Sequence, residues 1–114
     1  MNLGKYQFVY NAQAHFDAKK KYPDGLLNAI QADDFDALCW ALEELSTQGE
    51  LIRRDMGHDR QIPLKAETVK RLLMPHQIVD AKNLIYEAIV RGMSKDENEE
   101  IDEVLAENQK KTDS

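Results

Sequence analysis

The side chains able to do chemistry are few and scattered. His15, His58 and His76 fall on three different predicted elements, and none stands beside a second good metal ligand. No HExxH, no cysteine pair and no carboxylate ladder of calcium-loop type occurs. Cys39 would act as a nucleophile only with a base beside it. Flanked by Leu38 and Trp40 on an amphipathic stretch, it reads as a small buried hydrophobe. Glu43, Glu44 and Glu50 carry the carboxylates of general acid–base chemistry. Their spacing is equally that of a solvated helix face, with Glu50 and Arg54 as an i,i+4 ion pair worth about 0.3 kcal/mol, and this is the reading favoured. Ser46-Thr47-Gln48-Gly49 lies in mid-helix, without the preceding strand a nucleophile elbow needs. The glycine-rich phosphate cradles GxGxxG and GxxxxGK are absent. The expectation is a non-enzymatic protein with no catalytic residue, no metal and no cofactor.

The elements that position these groups are organised around residues 33–56, DDFDALCWALEELSTQGELIRRDM. Phe35, Leu38, Leu42, Leu45, Gly49, Ile52 and Met56 recur in steps of three and four, which places one apolar stripe along a single long helix. Asp33 or Asp34 is the expected N-cap, Asp36 and the pair Arg53 and Arg54 complement the helix dipole, and Gly57 is the expected left-handed stop. Gly49 costs about 1 kcal/mol relative to alanine in a helix interior, so its place on the stripe implies a close backbone approach or a kink. Trp40 lies opposite the stripe, with Ala37 and Leu51 near its face. It is therefore either covered by another element or offered to a partner.

Before this helix, Tyr6, Phe8 and Tyr10 alternate within KYQFVY, the period of two of a half-buried strand that must find an edge to pair with. Asn11 is placed to cap a helix over AQAHFDAKKKY with Ala12 and Phe16 inward, and Pro23 and Gly25 close it. Asp24 is the expected cap of a short helix, GLLNAIQA. After Gly57 the spacing predicts a loop to Pro63 and then about two turns of helix over residues 64–73. A second strong helix follows over residues 75–91. Ile78, Ala81, Ile85, Ala88 and Ile89 form its stripe, Leu84 widens it, and Gly92 is the expected stop. Ser94 with Glu97 has the pattern of a capping box for a last segment bearing Ile101, Val104 and Leu105.

The 114 residues suit one domain, and an apolar fraction of 42% allows a core without staples. The single cysteine fits a reducing compartment. No N-terminal apolar run and no span of about 20 apolar residues is present, so the expected location is the cytoplasm. The net charge of −6 is uneven: residues 95–114 hold eight acids and three lysines, leaving −1 on residues 1–94. A nearly neutral body with an acidic tail argues against nucleic-acid binding, which depends on phosphate neutralisation. The fold expected is a mainly α, small single-domain helical bundle over residues 1–94 with a short N-terminal β-strand or hairpin, followed by a flexible or marginally helical acidic tail over residues 95–114.

Two passages carry a resemblance. Phe8-Val9-Tyr10-Asn11-Ala12 followed by Phe16-Asp17, and LCWALEELSTQGELIRRDMG over residues 38–57, resemble the opening strand and the long helix of phage tail assembly chaperones of siphophages, prophages and gene transfer agents. The resemblance spans residues 5–93 and rests on helical, largely apolar motifs. It implies a non-enzymatic chaperone that coats the long tape-measure protein until tail tube subunits polymerise around it, working in the host cytoplasm, without cofactor and with a tendency to homo-oligomerise. Many such proteins exist in two lengths through ribosomal frameshifting, and an end at Gln109-Lys110-Lys111 is compatible with a short form. The lengthy charged tail departs from many relatives. The expected partner-binding residues are Trp40 and Leu51 as apolar anchors on one helix side, with Arg53 and Arg54 as a charged rim. The alternative class is a small helical regulatory or adaptor protein associated with DNA or a repressor. Lys65, Lys70 and Arg71 are too few for a basic recognition helix.

Overall fold

A 21-residue helix, α3 (Phe35–Asp55), is the axis on which the other helices pack. The computed structural model describes residues 1–94. Around α3 lie α1 (Ala12–Lys21), α2 (Leu26–Gln31), α4 (Ala66–Leu72) and α5 (Ile78–Met93), with 3₁₀ turns at Leu3–Lys5 and Pro75–Gln77. The architecture is mainly helical, and the described residues contain no β-strand. Leu38, Leu42 and Leu45 on α3 meet Ile30 of α2, Val69 of α4 and Ala81, Ile85 and Ala88 of α5 in one buried cluster. The ends of the predicted stripe do not reach it: Phe35 and Met56 are exposed.

The caps are local and mostly as the residue types demand. Asn11 accepts from the Ala14 N–H at 3.0 Å, starting α1. Asp34 accepts from the Ala37 N–H at 3.1 Å, starting α3. Asp33, the other candidate, takes a left-handed conformation with φ 62° in the tight α2–α3 junction, where its carboxylate receives Lys82 from α5. Gly57 closes α3 with φ 89°, its N–H bonded to the Arg54 carbonyl and that of His58 to the Arg53 carbonyl, the paired bonds of a Schellman motif.

Several expectations are corrected. No strand or hairpin forms at the N-terminus. Tyr6 and Asn11 are extended, but this segment runs across α3 and α5 instead of pairing with another strand. The Val9 N–H donates to the Leu45 carbonyl at 3.1 Å, and Phe8 enters the core. The inward face of α1 is Ala14 and Ala18, whereas Ala12 is exposed and Phe16 is 59% exposed. Asp24 does not cap α2 with its side chain; Gly25 at φ 110° starts that helix, and the Asn28 amide bonds back to the Asp24 carbonyl. Gly92 lies within α5, not after it. Ser94 is the C-terminal cap of α5, while Glu97, Ile101, Val104 and Leu105, with the rest of the tail, lie outside the described residues. Among those described, no helix is long and apolar enough to cross a membrane.

Candidate partner-binding surfaces

The carboxylates of α3 do not form a solvated face. Glu50 is 5% exposed and Ser46 2%, and with Glu43 they make a polar seam, spaced three and four residues apart, along which the chain between α3 and α4 is laid. Glu50 accepts from the Gln61 N–H at 2.7 Å, Ser46 from the Leu64 N–H at 3.0 Å, and Glu43 from the Ala66 N–H at 3.0 Å. This segment has no secondary structure of its own, so α3 side chains satisfy its inward backbone donors. The Gln61 amide and the flanking guanidinium groups hold the Glu50 carboxyl at about 2. Arg53 reaches Glu50 at 2.7 Å and the Asp59 carbonyl at 3.3 Å. Arg54 reaches Glu50 at 2.8 Å, the expected i,i+4 pair, and the Gln61 carbonyl at 3.1 Å. Both guanidinium groups are thus engaged within the chain, where the sequence reading placed them at an open rim.

The Trp40 side of α3 is covered in part by α1, which runs antiparallel along it. Tyr22, just past the end of α1, meets Trp40 edge to face with ring centroids 5.6 Å apart. Asp17 lies against Glu44, whose carboxyl is pushed up by burial first and by Asp17 second. Asn11 donates to Gln48 at 3.0 Å. Leu51 lies beyond the start of α1 and is 44% exposed. Trp40 and Leu51 therefore share a helix side, but only Leu51 presents a largely open side chain.

A second apolar face went unread in the sequence. On α5, Val79, Tyr86, Val90 and Met93 are spaced seven, four and three residues apart, one stripe on the side opposite the buried Ala81, Ile85 and Ala88. Val79, Val90 and Met93 are each about two-thirds exposed, and Tyr86 is half-buried. The spacing was visible, but assigning α5 a single buried stripe hid that it is apolar on two sides.

The titratable groups offer little else. Cys39 is fully buried and its thiol is pushed up to about 11 by desolvation, which suppresses the thiolate a nucleophile needs. The His15 ring is hydrogen-bonded to the Tyr10 hydroxyl at 2.7 Å. Among the described residues, no group of three or more His, Cys, Asp or Glu side chains is placed to hold a metal. Comparison with protein-family models, with curated proteins and with solved structures found no match.

Proposed function

We propose that this chain is a non-enzymatic assembly chaperone of the phage-tail type, which binds the long helical tape-measure protein through exposed apolar helix faces. The observation that carries the reading is the outer stripe of α5, whose Val79, Val90 and Met93 side chains remain about two-thirds exposed although the opposite side of the same helix is packed in the core. A helix apolar on two sides leaves one side for an amphipathic helix of a partner, read as anchors three, four and seven residues apart. Leu51 adds a further anchor on α3. Trp40 is half-buried against Tyr22, and Arg53 and Arg54 are bound first to Glu50. The resemblance of residues 5–93 to tail assembly chaperones supplies the identity of the helical partner.

The test is co-expression with a tape-measure protein and recovery of soluble complex. Wild type should hold the tape measure in solution. Val90→Asp with Met93→Asp should abolish recovery while leaving the circular dichroism spectrum and unfolding midpoint near wild type, since both sites are exposed. A Trp40→Ala, Leu51→Ala pair measures the contribution of the α3 side separately. Failure of the wild type to hold any tape-measure fragment would sink the chaperone reading. Full recovery by the α5 pair would remove that stripe from the interface.

A further inference from the structure

A shallow groove of about 540 Å³ separates the N-terminal segment from the chain between α3 and α4. Lys5 and Tyr6 form one wall and Ile62, Pro63, Lys65 and Thr68 the other. An adjoining hollow of about 280 Å³ extends it over Ser46, Glu50 and Arg53. Its chemistry is mixed: Ile62 is 82% exposed, while Lys5, set over the Tyr6 ring, and Lys65 both line the groove, and neither ammonium has an ion-pair partner among the described residues. Apolar floor between two unmatched cations suits an extended peptide that alternates carboxylates with aliphatic side chains.

We propose that the groove is occupied by residues 99–105 of the same chain, EEIDEVL, which carry four carboxylates and the aliphatic groups of Ile101, Val104 and Leu105. Reach permits it. The Tyr10 carbonyl lies against Gly92, so the last described residues of α5 sit at one end of the extended N-terminal segment whose other end is Lys5. Five residues of extended backbone span at most about 18 Å. The stretch from Tyr10 to Lys5 is itself five such residues, so residues 95–105, up to about 40 Å when extended, bring Ile101, Val104 and Leu105 within range of Lys5. Lys5 and Lys65 favour an acidic segment at this groove, whereas the outer stripe of α5 has charges of both signs beside it, Asp80 and Glu87 together with Lys82 and Arg91.

The experiment is paramagnetic relaxation enhancement on the full chain. A nitroxide is attached through Asn108→Cys; buried Cys39, with its raised thiol, leaves the introduced cysteine as the reactive one. Amide signals of Lys5, Ile62, Lys65 and Thr68 should broaden, and the broadening should fall to background in a Lys5→Glu, Lys65→Glu variant and weaken with added salt. Reversing Glu99, Glu100, Asp102 and Glu103 to lysine should abolish it with the groove untouched. Broadening centred on Val79 and Val90 would place the segment on α5 and overturn the proposal. So would broadening only in mixtures of spin-labelled unenriched chain with ¹⁵N-enriched unlabelled chain, which would make the occupant a second copy. Broadening that survives all charge reversals, or none at the groove in wild type, would equally remove it.

Discussion

The carbonyl oxygen of Gln7 lies where a side chain at Gly49 would begin. A Cβ built on Gly49 would stand 2.1 Å from that oxygen and 2.8 Å from its carbon. On α5, a Cβ on Gly92 would meet the Tyr10 carbonyl oxygen at 2.1 Å. Two glycines on two helices thus admit the same extended backbone, and the Val9 N–H fixes its register by bonding to the Leu45 carbonyl.

Gly49→Ala therefore sets two effects against each other. Helix propensity favours alanine by about 1 kcal/mol, whereas displacing a backbone carbonyl from a packed seam costs about 1–3 kcal/mol or more. Net destabilisation is expected, visible as a lower midpoint in denaturant unfolding. A midpoint equal to or above wild type would mean that the N-terminal segment is free to move off α3.

Glu50 gives the fold an acid limb. Its folded-state value of about 2 lies below the ordinary 4.5, so the unfolded chain takes up the proton first as pH falls. The stabilisation is complete above about pH 4.5 and is lost progressively as pH drops through about 2. Glu50→Gln keeps an acceptor for the Gln61 N–H but abolishes both ion pairs. It should lower the midpoint at neutral pH and flatten the decline between pH 4.5 and 2. An unchanged acid limb in the variant would assign that decline to other carboxylates.

The inward face of α1 separates two substitutions that the sequence pattern would rank the other way round. Phe16→Ser removes a side chain that is 59% exposed and should change stability by no more than about 0.5 kcal/mol. Ala18→Leu overfills a site that is 4% exposed and should cost about 1–3 kcal/mol. If thermal unfolding shows Phe16→Ser as the more damaging of the two, α1 packs through its other face.

Leu42 is fully buried at the middle of α3, where helices packed on either side meet. Leu42→Ala should cost about 2–5 kcal/mol, a large share of a small domain's stability. A melting temperature within a few degrees of wild type would contradict its central place.

By itself the sequence determined the helices, the caps of α1 and α3 and the buried middle of the two long ones. Leu38, Leu42 and Leu45 repeat at the helical period, Asn11 and Asp34 accept from amides three residues ahead, and Gly57 supplies the positive φ that ends α3. All of these are decided within a few residues, where spacing and side-chain chemistry suffice. At Gly49 the sequence left a close backbone approach and a kink as alternatives, and the Gln7 carbonyl against its Cα decided for the approach. Tertiary structure decided what lies against what. The alternation of Tyr6, Phe8 and Tyr10 is real, but it buries one side of an extended segment against two helices instead of in a sheet, and period two cannot distinguish these partners. Phe16 outranks Ala14 in hydrophobicity, yet α1 packs through Ala14 and Ala18 and leaves Phe16 exposed, a choice made by how the helices meet and not by the pattern within α1. Glu50 sits at a position typical of a solvated helix face and became buried because the chain after Gly57 returns across α3 and brings an unpaired Gln61 amide to meet it. That return is a long-range event, and no local period encodes it.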